Sequence, residues 1–319
     1  MIPREPLALF ELARDGSRTA LARLLTYVES GGPTQLDTAA LAYEGRSPYV
    51  VGITGAPGGG KSTLTDRLIT LTLDCGSFDG DDPFDQVGVL CVDPSSPFTG
   101  GAILGDRIRM QDHATNEHVF IRSMATRGHL GGLSLAVPDA VRVLGAANFR
   151  LAIVETVGVG QMEVDIASAA DTTVVVTNPG WGDAMQANKA GLLEVADIFV
   201  INKADRDGVE KVESEIEGMK SLSHAKDWDP PILRTVAGAG EGLPELLAKI
   251  REHGTWLRAH GGFQEKAHAR ARLRFGSLLA EEAARRARAR AGAEMEEELV
   301  QAIAEKTLDP YAAVARMLD

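Results

Sequence analysis

The chain has 319 residues, of which 44% are hydrophobic and 24% charged, and this ordinary globular composition excludes a wholly disordered chain. Its 33 basic and 45 acidic residues leave a formal net charge of −12, which excludes non-specific binding along a nucleic acid backbone. Any phosphate ligand must therefore be bound at a local site.

Cysteine usage and the N-terminal sequence predict the compartment. The two cysteines, Cys75 and Cys91, cannot form the disulfide framework of a small secreted domain. Charged residues interrupt the first turns of the chain, unlike a signal peptide, and no apolar run is long enough to span a bilayer. We therefore expect a cytoplasmic protein with no membrane partner.

Short runs rich in valine and isoleucine predict buried strands, and segments with helical spacing, such as 61–73 and 133–147, lie between most of them. Continuous apolar strands that alternate with helices are typical of a parallel sheet covered on both faces. We therefore predict an α/β fold with a doubly wound, mainly parallel sheet and ligands at the carboxyl ends of its strands. The predicted strands are 49–54, 87–92, 119–122, 151–155, 172–177, 198–202 and 231–236.

The α/β pattern is flanked by two helical regions. We predict a helical N-terminal extension over residues 1–45, with one amphipathic helix at 19–30, and an α/β domain over 46–258. Residues 259–319 form a helical C-terminal region with a long helix at 264–290. A helical tail cannot bury its own apolar side, so it should pack on the core or on another copy of the chain.

The strongest motif follows the first predicted strand and precedes a helix. Residues 55–63 read GAPGGGKST and match the pattern G-x-x-x-x-G-K-[ST] at every position. Glycine N–H groups can surround the phosphates, Lys61 can neutralise the outer phosphates, and the Ser62 hydroxyl is placed for Mg²⁺. The candidate phosphate-binding residues are Gly55, Pro57, Gly58, Gly59, Gly60, Lys61, Ser62 and Thr63.

Acidic residues near the carboxyl ends of other strands predict the metal ligands. Asp93 and Glu155 each end an apolar strand, and Asp106 lies in a glycine-rich loop. Together with Ser62 they form the oxygen-rich ligand set that Mg²⁺ prefers. Gly158 follows Glu155 closely, and its N–H can meet the γ-phosphate of a nucleoside triphosphate.

The loop Asn202-Lys203-Ala204-Asp205 follows a late strand and predicts the base. The Asp205 carboxylate can accept from guanine N1–H and N2–H₂, whereas adenine would leave it unpaired, so GTP is favoured over ATP. The stem of Lys203 can cover the ring. Backbone N–H groups around Ala237, after the last strand, would meet the guanine oxygen.

Several longer strings support a resemblance to a known family. They are GAPGGGKSTL, VDPSSPFTGGAILGDRIRM, RSMATRGHLGGLS, ETVGVGQ, GDAMQANKAG and NKAD. Together they strongly resemble the MeaB/ArgK family of methylmalonyl-CoA mutase-associated GTPases, and the helical extensions also fit that family. The resemblance implies a P-loop GTPase with Asp93, Asp106 and Glu155 around the Mg²⁺ site.

The resemblance also implies partners. It implies a chaperone of an adenosylcobalamin-dependent acyl-CoA mutase that gates cofactor delivery and protects the mutase, with its cobalamin adenosyltransferase as a further partner to test. Residues 93–109, 155–161 and 180–189 resemble the family's switches, and the C-terminal helices resemble its dimerisation arm, so we expect a homodimer. Two alternatives stay open, namely a kinase of a transport-associated binding protein and a metallochaperone GTPase.

For hydrolysis, we expect positioning and charge neutralisation to provide most of the catalysis. Lys61 is the main candidate catalytic residue. Gln161 is a candidate for orienting the attacking water, and Arg109 is a candidate for reaching the phosphates.

Overall fold

The protein is described from a computed structural model. The structure describes residues 2–30, 32–55, 57–75, 86–93, 110, 113, 115–125, 136–156, 162–180, 191, 194–222 and 227–318. It divides into two compact units, Met1–Phe263 and Gln264–Asp319. Within the described ranges, every helix is too short or too polar to cross a bilayer.

The first unit contains a parallel sheet of seven strands in the part of the chain that the structure describes, in the order β3-β2-β4-β1-β5-β6-β7. Every pairing between neighbours is parallel, which confirms the predicted α/β class. Each predicted strand is present, with small shifts at the ends. The strands are β1 (Tyr49–Gly55), β2 (Val87–Asp93), β3 (Val119–Ala125), β4 (Leu151–Thr156), β5 (Thr172–Thr177), β6 (Ile198–Asn202) and β7 (Ile232–Thr235).

Helices of the first unit precede the sheet and connect its strands. They are α1 (Pro6–Arg14), α2 (Arg18–Ser30), α3 (Pro33–Glu44), α4 (Lys61–Cys75), α5 (Val137–Ala146), α6 (Met162–Ala169), α7 (Val209–Leu222) and α8 (Leu243–Ala259). The predicted helix at 61–73 is α4, and the described part of the predicted helix at 133–147 is α5.

Successive residues of the central strands pack on opposite faces of the sheet. Val50 and Val154 belong to the core shared with α5 and the N-terminal helices, whereas Val51 and Ile153 belong to the core shared with α4 and α8. Both faces are therefore apolar, and this explains why the sequence shows continuous rather than alternating hydrophobic runs.

The N-terminal helices share the core of the α/β domain. Phe10 of α1 and Leu24 of α2 lie in the same buried cluster as Leu144 of α5. The Arg18 guanidinium donates to the carbonyl oxygens of Asn116 and Val119 at the start of edge strand β3. The Arg18 guanidinium therefore provides hydrogen-bond donors to backbone carbonyl groups at the start of this edge strand.

The second unit is helical. Helix α9 (Gly262–Ala304), which begins at the end of the first unit, is interrupted at Gly292, where φ is +82°, and α10 (Pro310–Leu318) follows. Ala287 and Ala313 are buried, and the Arg290 guanidinium donates to the Leu318 carbonyl oxygen. The long helix predicted at 264–290 lies within α9.

The parallel sheet brings its functional residues to one edge. Strand β1 ends at Gly55, and Glu155 lies near the end of its neighbour β4, where it pairs in register with Ile53. On the other side, Asn202 ends β6 and pairs with Thr235 of β7. The carboxyl ends of these strands therefore carry the phosphate loop and the polar residues that the sequence singled out.

Candidate nucleotide-binding site

The phosphate loop, residues 55–63, connects β1 to α4 through two glycines that no other residue could replace without strain. At Gly55, φ is +122° and an added Cβ would lie 2.0 Å from the Val176 carbonyl oxygen of β5. At Gly60, φ is +89° and an added Cβ would lie 2.3 Å from Asn202 Nδ2. These two glycines of the loop therefore lie tightly against β5 and the end of β6.

Two lysine ammonium groups lie against carbonyl oxygens of the phosphate loop. Lys61, at the start of α4, is 7% exposed, and its Nζ donates to the Gly55 carbonyl oxygen at 2.8 Å. Lys203 adopts a left-handed backbone conformation with φ of +58°, and its Nζ donates to the Gly58 carbonyl oxygen at 2.7 Å. The carbonyl oxygens of Gly55 and Gly58 thus each accept from an ammonium group.

Asn202 connects the phosphate loop to the loops after β6 and β7. Its side chain is 2% exposed, and its Nδ2 donates to the Gly59 carbonyl oxygen at 2.8 Å. Its Oδ1 accepts from Thr235 Oγ1 at 3.1 Å and from the Ala237 N–H at 3.0 Å. Asn202 therefore positions the backbone around Ala237 relative to the phosphate loop.

The Glu155 carboxylate faces the first turn of α4. It is 2% exposed, and Ser62 Oγ donates to its Oε1 at 2.6 Å. Thr65 Oγ1 lies 2.9 Å from its Oε2 and 2.9 Å from the Lys61 carbonyl oxygen. The buried acid and the phosphate-loop serine, which the sequence predicted as metal ligands, are in direct contact.

The remaining predicted site residues lie in different surroundings. Asp205 is exposed beside the loop that Asn202 anchors. Asp93 ends β2, whose Cys91 pairs in register with Glu155 of β4, so its backbone lies at the same edge of the sheet. The predicted residues outside the described ranges are Asp106, Arg109, Gly158 and Gln161.

Two features of the site were not predicted from the sequence. Thr65 contacts Glu155, although a threonine in the middle of a helical segment gives no signal of this role. Asn202 belongs to the motif that predicts base recognition, and its hydrogen bonds to Gly59 and Ala237 also give it a structural role. Its position directly before Lys203 at a strand end was the available signal.

A parallel sheet that carries a G-x-x-x-x-G-K-S loop after β1 and an Asn-Lys-x-Asp loop after β6, joined through Asn202, defines a P-loop GTPase. The chain belongs to the family described as methylmalonyl-CoA mutase-associated GTPase MeaB, whose family model matches residues 21–292. This match confirms the family resemblance, and the protein is therefore a GTP-hydrolysing enzyme that binds guanine nucleotide.

Individual relatives agree with this assignment. A Pyrococcus abyssi protein named as a GTPase is 45% identical over 315 residues, which cover 97% of this chain and 95% of the relative. The Caenorhabditis elegans mitochondrial protein named methylmalonic aciduria type A homolog is 33% identical over 81% of this chain and 68% of its own. The solved structure of a LAO/AO transport system kinase is 26% identical, with a TM-score of 0.70, and covers 98% of this chain and 96% of its own.

Proposed function

We propose that this GTPase binds GTP and Mg²⁺ at the carboxyl edge of the sheet and serves in the cytoplasm as the chaperone of an adenosylcobalamin-dependent acyl-CoA mutase of the methylmalonyl-CoA mutase type. In this role it gates cofactor delivery and protects the mutase. The observation that carries the proposal is the hydrogen-bonded connection of the phosphate loop to both Asn202 and Glu155, in a family described by its association with that mutase.

The triphosphate binds to the N–H groups of the phosphate loop and to Lys61. The Lys61 ammonium group donates to a neutral carbonyl oxygen at 2.8 Å in a position with 7% exposure. A phosphate oxygen is a charged acceptor and forms a stronger hydrogen bond, so the ammonium group transfers to the phosphates when GTP binds. The remaining phosphate-binding residues in this proposal are Gly55, Pro57, Gly58, Gly59, Gly60, Ser62, Thr63 and Gly158.

Guanine binds between the loops after β6 and β7. The exposed Asp205 carboxylate accepts from the N1–H and N2–H₂ groups of the base, and the stem of Lys203 covers one face of the ring. Asn202 holds the backbone around Ala237 at 3.0 Å, so this segment is in place for the guanine oxygen. Adenine offers no pair of donors to Asp205 and is rejected on that account.

The residues at the edge of the sheet fit a Mg²⁺ ion. Hydroxyl and carboxylate oxygens meet where Ser62 and Thr65 contact the buried Glu155, and hard oxygen ligands of this kind suit Mg²⁺. We propose Ser62, Asp93, Asp106 and Glu155 as the residues that hold the ion. When bound, Mg²⁺ neutralises charge on the phosphate oxygens.

Hydrolysis is an attack of water on the γ-phosphate, in which the bond to the β-phosphate oxygen breaks and GDP and inorganic phosphate form. Lys61 stabilises the negative charge that develops on the phosphate oxygens. Gln161 orients the attacking water, and Arg109 reaches the phosphates when the first switch closes.

The mutase distinguishes the GDP-bound from the GTP-bound protein by contacting the switch segments 93–109, 155–161 and 180–189. The proposal gains support from the family description and from the name of the Caenorhabditis elegans relative. The test is calorimetric titration of the purified mutase with this protein loaded with GDP or with a non-hydrolysable GTP analogue. Different affinities support the proposal, and equal affinities or no binding in both states contradict it.

The C-terminal region provides a homodimer arm in this proposal. Its described helices expose large apolar side chains, among them Leu273, Phe275, Leu279 and Tyr311, each at least 57% exposed in the single chain. Exposed apolar groups of this number favour association with a second surface. Light scattering of the purified protein should give twice the chain mass of 33.9 kDa, and the single mass would refute the dimer.

A second candidate function comes from the solved structure named a LAO/AO transport system kinase. A kinase transfers the γ-phosphoryl group to an acceptor side chain, whereas a GTPase releases it to water. Purified protein with γ-labelled GTP and a cell extract distinguishes the two. Label recovered as inorganic phosphate supports the GTPase, and label retained on an acceptor protein supports the kinase.

A further inference from the structure

Two side chains of the same helix contact the Glu155 carboxylate. Ser62 Oγ donates to Oε1 at 2.6 Å, and Thr65 Oγ1 lies 2.9 Å from Oε2. Residues three apart in a helix are neighbours on one face, so α4 presents both hydroxyls to the carboxylate of β4. The two oxygens of Glu155 are therefore fixed by two separate groups.

Thr65 is placed so that its hydroxyl has little freedom. The side chain is fully buried, and its branched Cβ restricts rotation in a helix. The hydroxyl lies 2.9 Å from both the Glu155 carboxylate and the Lys61 carbonyl oxygen, and its single proton can be donated to one of them. A carboxylate is the stronger acceptor because it is charged.

Another threonine of the same helix differs in this respect. Thr72 is 1% exposed, and its hydroxyl donates to the Leu68 carbonyl oxygen at 2.7 Å, which is the ordinary local bond of a helical threonine. Thr65 adds a contact to the Glu155 carboxylate of β4, the strand that pairs with β1 in the sheet. Thr72 can therefore serve as a control, because replacing it removes a buried helical hydroxyl whose hydrogen bond is to Leu68 rather than to Glu155.

We infer that Thr65 is a positioning residue for the Mg²⁺ site. It holds Oε2 of Glu155, and the other oxygen of the same carboxylate thereby stays at Ser62, beside the phosphate loop. This inference rests on the proposed function, in which Ser62 and Glu155 hold the ion. Loss of the Thr65 hydroxyl frees the carboxylate to rotate and weakens magnesium-dependent nucleotide binding without changing the rest of the site.

The size of the effect follows from the kind of contact. Groups that orient a metal ligand through a hydrogen bond typically change metal affinity by about 10- to 100-fold when they are removed. A neutral hydroxyl on one carboxylate oxygen belongs at the low end, so Thr65→Val should reduce magnesium-dependent binding by about 10-fold. Thr65→Ser keeps the hydroxyl and should restore most of this loss.

The experiment measures the dissociation constant of GDP by calorimetry in excess Mg²⁺ and again in EDTA, for the full chain and each variant. The dissociation constant in EDTA divided by the dissociation constant in Mg²⁺ gives the factor by which magnesium strengthens GDP binding. We expect Thr65→Val to lower this ratio by about 10-fold and to keep the constant in EDTA within about 2-fold of the wild type. Thr65→Ser and the matched control Thr72→Val should keep the wild-type ratio.

The outcomes distinguish a failure of the proposed metal site from a failure of the role of Thr65. A wild-type ratio near one overturns the proposed metal site and the role of Thr65 with it. A clear wild-type ratio that Thr65→Val leaves unchanged, or that Thr72→Val lowers equally, overturns the role of Thr65 alone. If Thr65→Val does not fold, as judged by GDP binding in EDTA, Thr65→Ala takes its place with the same expected ratio.

Discussion

Replacing Asn202 with alanine should destabilise the protein even when no nucleotide is present. The side chain is 2% exposed and makes three hydrogen bonds, to the Gly59 carbonyl oxygen, Thr235 Oγ1 and the Ala237 N–H. Each buried hydrogen bond contributes about 1 kcal/mol net, so the free energy of unfolding should fall by about 3 kcal/mol. For a unit of this size, that loss corresponds to a decrease in Tm of about 6–12 °C.

The measurement is thermal unfolding of the nucleotide-free protein, followed by calorimetric titration with GDP. The matched control is Asn178→Ala, because Asn178 follows the neighbouring strand β5 and its Nδ2 donates to the adjacent Pro179 carbonyl oxygen at 3.1 Å. This variant should keep a Tm within about 2 °C of the wild type, as surface-proximal substitutions usually do.

The two possible roles of Asn202 differ in the Tm that they predict for the variant. If Asn202 serves only the base, Asn202→Ala would lose GDP affinity and keep the wild-type Tm, and our account of the connection would be refuted. If it joins the phosphate loop to the loops after β6 and β7, stability and affinity fall together.

Three further predictions test the phosphate, the base and the C-terminal unit. Lys61→Ala should reduce GTP hydrolysis, followed as released phosphate, by at least about 100-fold, because the ammonium group stabilises developing charge; a wild-type rate would refute the assignment. Asp205→Asn should weaken GDP and strengthen xanthosine diphosphate binding in calorimetry, since the amide can donate to the C2 oxygen of xanthine; unchanged base preference would refute the role of Asp205. Hydrogen bonds from Arg285 and Arg286 lower the pKa of Glu282 to about 2 from 4.5, so these two ion pairs stabilise α9 above pH 4.5 and their contribution is lost as the pH falls toward 2. An NMR titration should therefore show the Glu282 midpoint near 2, rising toward 4.5 in the double variant Arg285→Ala/Arg286→Ala, and equal midpoints would contradict the ion pair.

The strands and the fold class were predictable because the sheet is buried on both faces. Runs such as Val87–Val92 and Thr172–Thr177 are apolar or β-branched at nearly every position, and such runs are typical of parallel strands. The packing of the N-terminal helices was not predictable in the same way. The segment before residue 45 shows helical spacing, but nothing in it indicates that Phe10 and Leu24 share a core with Leu144.

The candidate site was predictable to the extent that its chemistry depends on consecutive residues. The phosphate loop requires Gly55 and Gly60 at a fixed spacing because of the backbone conformations they adopt, so the motif could be found in the sequence. The contact of Thr65 with Glu155 joins residues 90 positions apart and depends on the register of β4 beside α4. Such a contact leaves no local pattern.

The arrangement of these contacts also bears on how nucleotide binding reaches distant parts of the site. Three of these contacts come from the four consecutive residues 59–62. The Gly59 carbonyl oxygen accepts from Asn202, the Lys61 ammonium group donates to Gly55, and the Ser62 hydroxyl donates to Glu155. The base loop and strand β4, which leads into the predicted second switch, therefore contact the same turn of backbone. In the proposed function, Lys61 and Ser62 exchange internal partners for phosphates and Mg²⁺. Gly59, which accepts from Asn202, lies just before α4, and Ser62 lies in its first turn, so we expect a shift of this segment to affect both connections. Under the proposed function, a mutase that senses the second switch would also sense whether the base loop holds guanine.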